Sequence, residues 1–212
     1  MDVAVDMAAI AARVAVIPVL TVDRRETAVP LARALVKGGL PVLEITLRTE
    51  AALDGLRAIV AEVPEAVVGA GTVLDPVRLD KVQRAGARFA VSPGCTPALA
   101  RAARSSGIPF LPGVQTVSEA MTLAELGFGV LKFFPADAAG GLTWIKAVGA
   151  PLPDLKFCPT GGLTADTAPS YLALANVACV GGSWVAPRVA VATGDWQSVE
   201  RLAAAASALK RR

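Results

Sequence analysis

A lysine interrupts the apolar run VLKFFPA at 130–136, and Glu44, Thr46 and Arg48 alternate with Leu43, Ile45 and Leu47 in LEITLRT. Burying an ammonium or a carboxylate is costly, so such groups rarely leave water without a partner or a task. A period of two puts Glu44, Thr46 and Arg48 on one face of a strand and the three apolar residues on the other. By the same parity Lys132 shares a face with Val130 and Phe134. If both polar faces look into one interior, an amine placed near a carboxylate is deprotonated often enough to attack a carbonyl and form a Schiff base. The plainer reading is an inert interior ion pair, Glu44 with Arg48 or with Lys132, and the spacing allows it equally.

Other run ends supply small donors rather than acids. Thr72 in GAGTV and Thr160 in CPTGG close their runs with a hydroxyl beside glycines. Gly161–Gly162 and Gly181–Gly182–Ser183 follow the seventh and eighth apolar runs, where glycine lets an anion approach backbone N–H groups closely. Glycine pairs also simply make turns, and so does SPGCTP, whose Pro93 is a candidate wall of the same site.

The missing residue types narrow the chemistry. The chain of 212 residues has no histidine, which removes the usual general base, the Ser-His and Cys-His pairs and the commonest zinc ligand. Cys95, Cys158 and Cys179 are odd in number and lack metal-type spacing, so they read as reduced thiols of a cytoplasmic protein. The acidic start MDVAVDMAAI lacks the positive region of a secretory leader. Residues 167–187 carry no charge, yet Pro169, Asn176, the glycines and Pro187 argue for helix, strand and loop rather than a membrane span. The net charge of +3 comes from scattered basic residues, with one cluster, KRR, at the extreme C-terminus, and aromatics are 5% of the chain. That pattern speaks against nucleic acid as a partner.

The elements that must position these residues recur along the whole chain. Apolar, β-branched runs stand at 14–22, 41–47, 66–73, 89–94, 110–114, 130–136, 155–162 and 177–184. Alanine- and leucine-rich stretches at helical spacing separate them, several ending in glycine. Eight alternating units predict a parallel sheet, and in this length a single α/β domain over 1–212 closed as a (β/α)8 TIM barrel. DMAAIAARV predicts an extra N-terminal helix before the first strand. An open doubly wound sheet is the runner-up, but no GxGxxG follows the first run. In a barrel of this kind the chemistry belongs at the C-terminal strand ends, where the unusual residues fall.

The segments VIPVL, VLEITLRT, VGAGTVLDP, FAVSPG, LKFFPA, KFCPTGG and VGGSW, in this order, resemble the 2-keto-3-deoxy-6-phosphogluconate (KDPG) aldolase family, whose members also act on 4-hydroxy-2-oxoglutarate. The resemblance covers nearly the whole chain. It implies a class I carbon–carbon lyase of the Entner-Doudoroff pathway, a cytoplasmic homotrimer with no metal and no cofactor, and a phosphorylated 2-keto acid as its small-molecule partner. Lys132 would be the Schiff-base lysine and Glu44 the general acid/base. Arg48, Thr72 and Thr160 would hold the pyruvyl carboxylate or neighbouring oxygens, with Pro93 and Phe134 beside the substrate. Gly161, Gly162, Gly181, Gly182 and Ser183 would line the phosphate end. CPTGG favours the gluconate over the galactonate isomer, and Asp137 stands where many members carry glutamate.

Three other readings compete. The galactonate isomer is the alternative substrate. A barrel isomerase or epimerase would need Glu44 as a proton carrier but no covalent lysine, and no second acid stands at a run end beside Glu44. A non-catalytic scaffold would have no need of Glu44, Arg48 and Lys132 together, and the fold alone does not decide function.

Overall fold

The computed structural model describes residues 6–209, and the KRR cluster lies outside them. Helix α1 (Met7–Ala11) comes first, with the Asp6 carboxylate accepting the Ala9 N–H at 2.8 Å. Then follow β1 (Val16–Leu20), α2 (Arg25–Lys37), β2 (Val42–Thr46), α3 (Ala52–Glu62), β3 (Val67–Gly71), α4 (Pro76–Arg84), β4 (Phe89–Val91) and α5 (Pro97–Ser106). The chain continues through β5 (Phe110–Leu111), β6 (Gly113–Val114), α6 (Val117–Glu125), β7 (Val130–Phe133) and α7 (Gly141–Gly149). It ends with β8 (Lys156–Pro159), α8 (Ala168–Leu172), β9 (Val180–Gly182), α9 (Arg188–Thr193) and α10 (Trp196–Ser207).

Every strand pairing among the described residues is parallel, as the alternation of apolar runs and helices predicts. The strands form a six-stranded sheet, ordered β5-β4-β3-β2-β1-β9, and a three-stranded sheet, β6-β7-β8. All five residues of β2 are buried, because a parallel strand covered on both faces has no side for water. That is why these strands read as largely apolar runs in which a charge stands out.

The run at 110–114 is not one strand. Pro112 has no N–H to donate, and the run parts there: β5 pairs with β4 in the larger sheet and β6 with β7 in the smaller. The Pro112 carbonyl still accepts the Lys132 N–H at 2.8 Å. At the other margin, β8 and β9 meet through single bridges, Phe157 with Val177 and Thr160 with Gly181.

Local chemistry fixes the helix ends. Asp75 and Thr96 cap α4 and α5, each followed by a proline at the first helical position, and α5 stops at Gly107 with φ 71°. Phe133, on the side of β7 opposite Lys132, stacks on Trp144 of α7 at 4.2 Å, and Phe157 meets the same indole edge-on at 5.4 Å. Among the described residues no helix is long and apolar enough to cross a membrane.

Candidate active site

Parallel register assembles the site. Glu44 on β2 lies beside Val19 of β1 and Gly69 of β3, while Lys132 on β7 lies beside Gly113 of β6 and Cys158 of β8. Both charged side chains are buried, at 3% and 4% exposure. They meet: Lys132 Nζ donates to Glu44 Oε1 at 3.2 Å. Gly71 makes room for this, since a Cβ there would overlap the Glu44 carboxylate. The ammonium also stands 5.3 Å from the centre of the Phe134 ring, within cation–π reach. An amine and a carboxylate in contact and screened from bulk water can pass a proton between them, which a nucleophilic lysine requires.

Above the pair opens a cavity of about 810 Å3. Of the residues singled out from sequence, Arg48, Lys132, Phe134, Thr160, Gly161, Gly162, Gly181, Gly182 and Ser183 line it. Thr160 is buried, donates its hydroxyl to the Cys158 carbonyl at 3.2 Å, and lies against Gly181, where a Cβ would collide with Oγ1. Gly161 and Gly162 have φ of 98° and 82°, conformations that side-chain-bearing residues avoid, and the Gly161 carbonyl accepts the Asp137 N–H at 3.0 Å.

Glu44, Thr72 and Pro93 do not line the cavity; Glu44 reaches it through Lys132, which does. Thr72 follows Gly71 with a left-handed φ of 61°, which is rare for a β-branched residue. Pro93 sits in the turn after β4 with its backbone packed on Gly113, the register partner of Lys132. Both are half-buried in the turns that follow their strands. The even face expected for Glu44, Thr46 and Arg48 also divides. Strand β2 ends at Thr46, whose buried hydroxyl donates to the Leu20 carbonyl at 2.8 Å. Arg48 lies in the turn beyond, exposed and on the cavity wall, and the ion pair of Glu44 is with Lys132.

Sequence reasoning missed Val19, Thr21, Asp23, Arg24, Trp184 and Arg188, which complete much of the wall. Arg24 sits in a turn before α2 and Arg188 opens α9, and both read as ordinary solvated surface. Their signal lies in the topology, because β1 and β9 are neighbours and bring the turns after them together. Next to Lys132, a hydrogen bond from Cys179 together with the nearby ammonium holds the Cys158 thiol below its usual range, against the effect of burial. Among the described residues no cluster of three or more carboxylates or thiols is placed to hold a metal ion.

Fold and site together define a parallel α/β protein with a buried lysine–carboxylate pair whose lysine lines a partly cationic cavity. The family model of the KDPG and KHG aldolases matches residues 7–202. A 2-dehydro-3-deoxy-phosphogluconate aldolase of Pseudoalteromonas atlantica is 52% identical over 89% of this chain and 87% of its own. The KHG/KDPG aldolase of Escherichia coli K12 is 51% identical over 89% of this chain and 88% of its own. The crystal structure of the KDPG aldolase of Legionella pneumophila, with pyruvate captured as a covalent carbinolamine intermediate, superposes with a TM-score of 0.94. It is 45% identical and covers 96% of this chain and 98% of its own. The chain belongs to the KDPG and KHG aldolase family.

Proposed function

We propose that this protein is a class I aldolase that cleaves 2-dehydro-3-deoxy-6-phosphogluconate to pyruvate and glyceraldehyde 3-phosphate, and 4-hydroxy-2-oxoglutarate to pyruvate and glyoxylate. The observation that carries this reading is the buried 3.2 Å contact between Glu44 and Lys132, the latter lining the cavity. Lys132, having passed a proton to Glu44, attacks the C2 ketone. Glu44 returns the proton to the departing oxygen, and loss of water leaves an iminium. The iminium draws in the electron pair of the C3–C4 bond while Glu44, or a water it orients, takes the proton of the C4 hydroxyl. The aldehyde leaves, the enamine is protonated at C3, and water releases pyruvate and free Lys132.

Arg48, Thr72 and Thr160 hold the carboxylate end of the substrate beside Phe134, with Pro93 as a wall of the site. Gly161, Gly162, Gly181, Gly182 and Ser183 receive the phosphate. The two sheets act as one closed (β/α)8 barrel in a single domain over 1–212, joined at Pro112 and at the Thr160–Gly181 bridge, with α1 as its extra N-terminal helix. It works as a homotrimer in the cytoplasm, on the Entner-Doudoroff pathway.

The test is reductive trapping. Protein incubated with pyruvate and borohydride is expected to carry the pyruvyl adduct on Lys132 in peptide mass spectrometry, and Lys132→Ala to carry none and to lose cleavage. Normal turnover in Lys132→Ala sinks the reading.

A further inference from the structure

Two arginines outside the family motifs stand where the substrate's phosphate would enter. Strands β1 and β9 are hydrogen-bonded neighbours in the register Val16–Val180, Ile17–Gly181 and Pro18–Gly182, so the turns leaving their C-terminal ends lie side by side. The first of these turns carries Asp23 and Arg24, and the second leads to Arg188. Arg188 reaches across to Asp23 at 3.8 Å, and Arg24 stands 3.8 Å from Glu26. Both arginines line the same cavity as the two glycine pairs.

Three physical points bear on these guanidiniums. Glycine N–H groups offer dipoles but no net charge, whereas a phosphate monoester brings a charge of about −1.5 to −2 near neutral pH. Lys132 is already matched by Glu44, and among the described residues the other cations lining the cavity are Arg24, Arg48 and Arg188. The contacts of Arg24 and Arg188 with their acids are longer than hydrogen bonds, and the arginine side chains are 58% and 83% exposed. Such loose surface pairs hold their members weakly, so either guanidinium is free to turn to a better anion. An arginine fork binds phosphate with two parallel hydrogen bonds, which a surface carboxylate at 3.8 Å is not receiving.

We propose that Arg24 and Arg188 form a phosphate-selective rim: they leave Glu26 and Asp23 for the substrate's phosphate and set the preference for phosphorylated over unphosphorylated 2-keto acids. The proposal rests on the aldolase reading above and deepens it. Asp23 is then a restraint on Arg188 that competes with the phosphate.

The experiment compares Arg24→Gln, Arg188→Gln, the double variant and Asp23→Asn with the natural protein. Cleavage is measured on 2-dehydro-3-deoxy-6-phosphogluconate and on 4-hydroxy-2-oxoglutarate, which has no phosphate, and glycerol 3-phosphate binding is titrated by calorimetry. The double variant is expected to lose about tenfold or more in kcat/KM on the phosphorylated substrate, mainly through KM. On the unphosphorylated substrate it changes less than about twofold, and it binds glycerol 3-phosphate correspondingly more weakly. Asp23→Asn is expected to bind glycerol 3-phosphate more tightly. An equal loss on both substrates, or unchanged glycerol 3-phosphate binding in the double variant, overturns the rim. If the natural protein forms no pyruvate adduct and cleaves neither substrate, the aldolase reading falls, and the calorimetric comparison still decides whether the arginines bind phosphate.

Discussion

Glu44 and Lys132 are both buried and share one hydrogen bond, so each sets what the other can do. Removing one member of a buried pair leaves an uncompensated charge and costs ~3–5 kcal/mol, which makes Lys132→Ala a destabilising change as well as an inactivating one. Glu44→Gln keeps the shape and a hydrogen bond but cannot carry a proton. It is expected to lower kcat by ~10²–10⁴ while borohydride still traps pyruvate on Lys132, and a near-normal kcat would remove Glu44 from the proton path. Cys95 gives a second expectation at this scale. Burial pushes its thiol up to about 11 from 9.0, against a hydrogen bond with Ser92 that lowers it. A raised folded value favours the thiol form. The stability it brings is present below pH 9.0 and is lost as pH rises from 9.0 through about 11. Because the thiolate is the nucleophile, iodoacetamide should modify Cys95 at pH 8 about tenfold or more slowly than a free cysteine, with the rate climbing through pH 9–11. Labelling at the free-cysteine rate would contradict this. The buried lysine–carboxylate pair was legible in the sequence because a charge inside an apolar run is conspicuous. Arg48 was legible only in part, since a strand's alternation carries no mark of where the strand stops, and here it stops at Thr46.

Elements show the same division between what neighbours in sequence decide and what distant neighbours decide. Strands and helices that a local pattern governs were readable: β2 and β7 as apolar runs, and the helices between runs from alanine- and leucine-rich stretches at helical spacing. Pro112 splits an apolar run whose composition reads as continuous, because the missing N–H matters only once a partner strand is there to lack it. Arg24 and Arg188 stayed hidden for a related reason: only the β1–β9 pairing brings their turns together. Helix α6, which leads into the strand of Lys132, permits a prediction of its own. Thr116 accepts the Glu119 N–H, while the Glu119 carboxylate accepts the N–H groups of Gln115 at 2.7 Å and Thr116 at 2.8 Å. Burial works to raise the Glu119 carboxyl, but these hydrogen bonds outweigh it and leave it below 4.5. A lowered folded value means stability that is present above pH 4.5 and lost as pH falls through the folded value. Glu119→Ala should therefore cost about 1 kcal/mol at pH 7, with the gap from the natural protein closing in acid and kcat unchanged. Chemical denaturation at pH 7 and pH 3.5 measures this, and a gap that stays constant would show that the ionised carboxylate is not the cap.

At the scale of the whole molecule, the lysine–carboxylate pair joins the two sheets: Glu44 belongs to the six-stranded one and Lys132 to the three-stranded one. Their 3.2 Å contact is then only as well fixed as the packing that holds one sheet to the other. The register places Gly69 of β3 beside both Glu44 and Phe89, and the Phe89 ring fills the space a side chain on Gly69 would need. Phe89 is fully buried, so shortening it opens a void next to the strand segment that carries the carboxylate. Leu35 is equally buried but lies on α2, away from the inner face. Phe89→Ala and Leu35→Ala should each cost several kcal/mol, ~3–5 and ~2–5 respectively, through lost burial and the cavity left behind. Their effects on catalysis should differ. At a temperature where circular dichroism finds both variants fully folded, Phe89→Ala is expected to lower kcat by about tenfold or more, since a displacement near 1 Å at a reacting group is costly. Leu35→Ala should stay within about twofold, because a void remote from the pair leaves its geometry in place. Equal kcat values in two equally destabilised variants would mean that the pair is positioned by its own strands alone, without the layer beneath it.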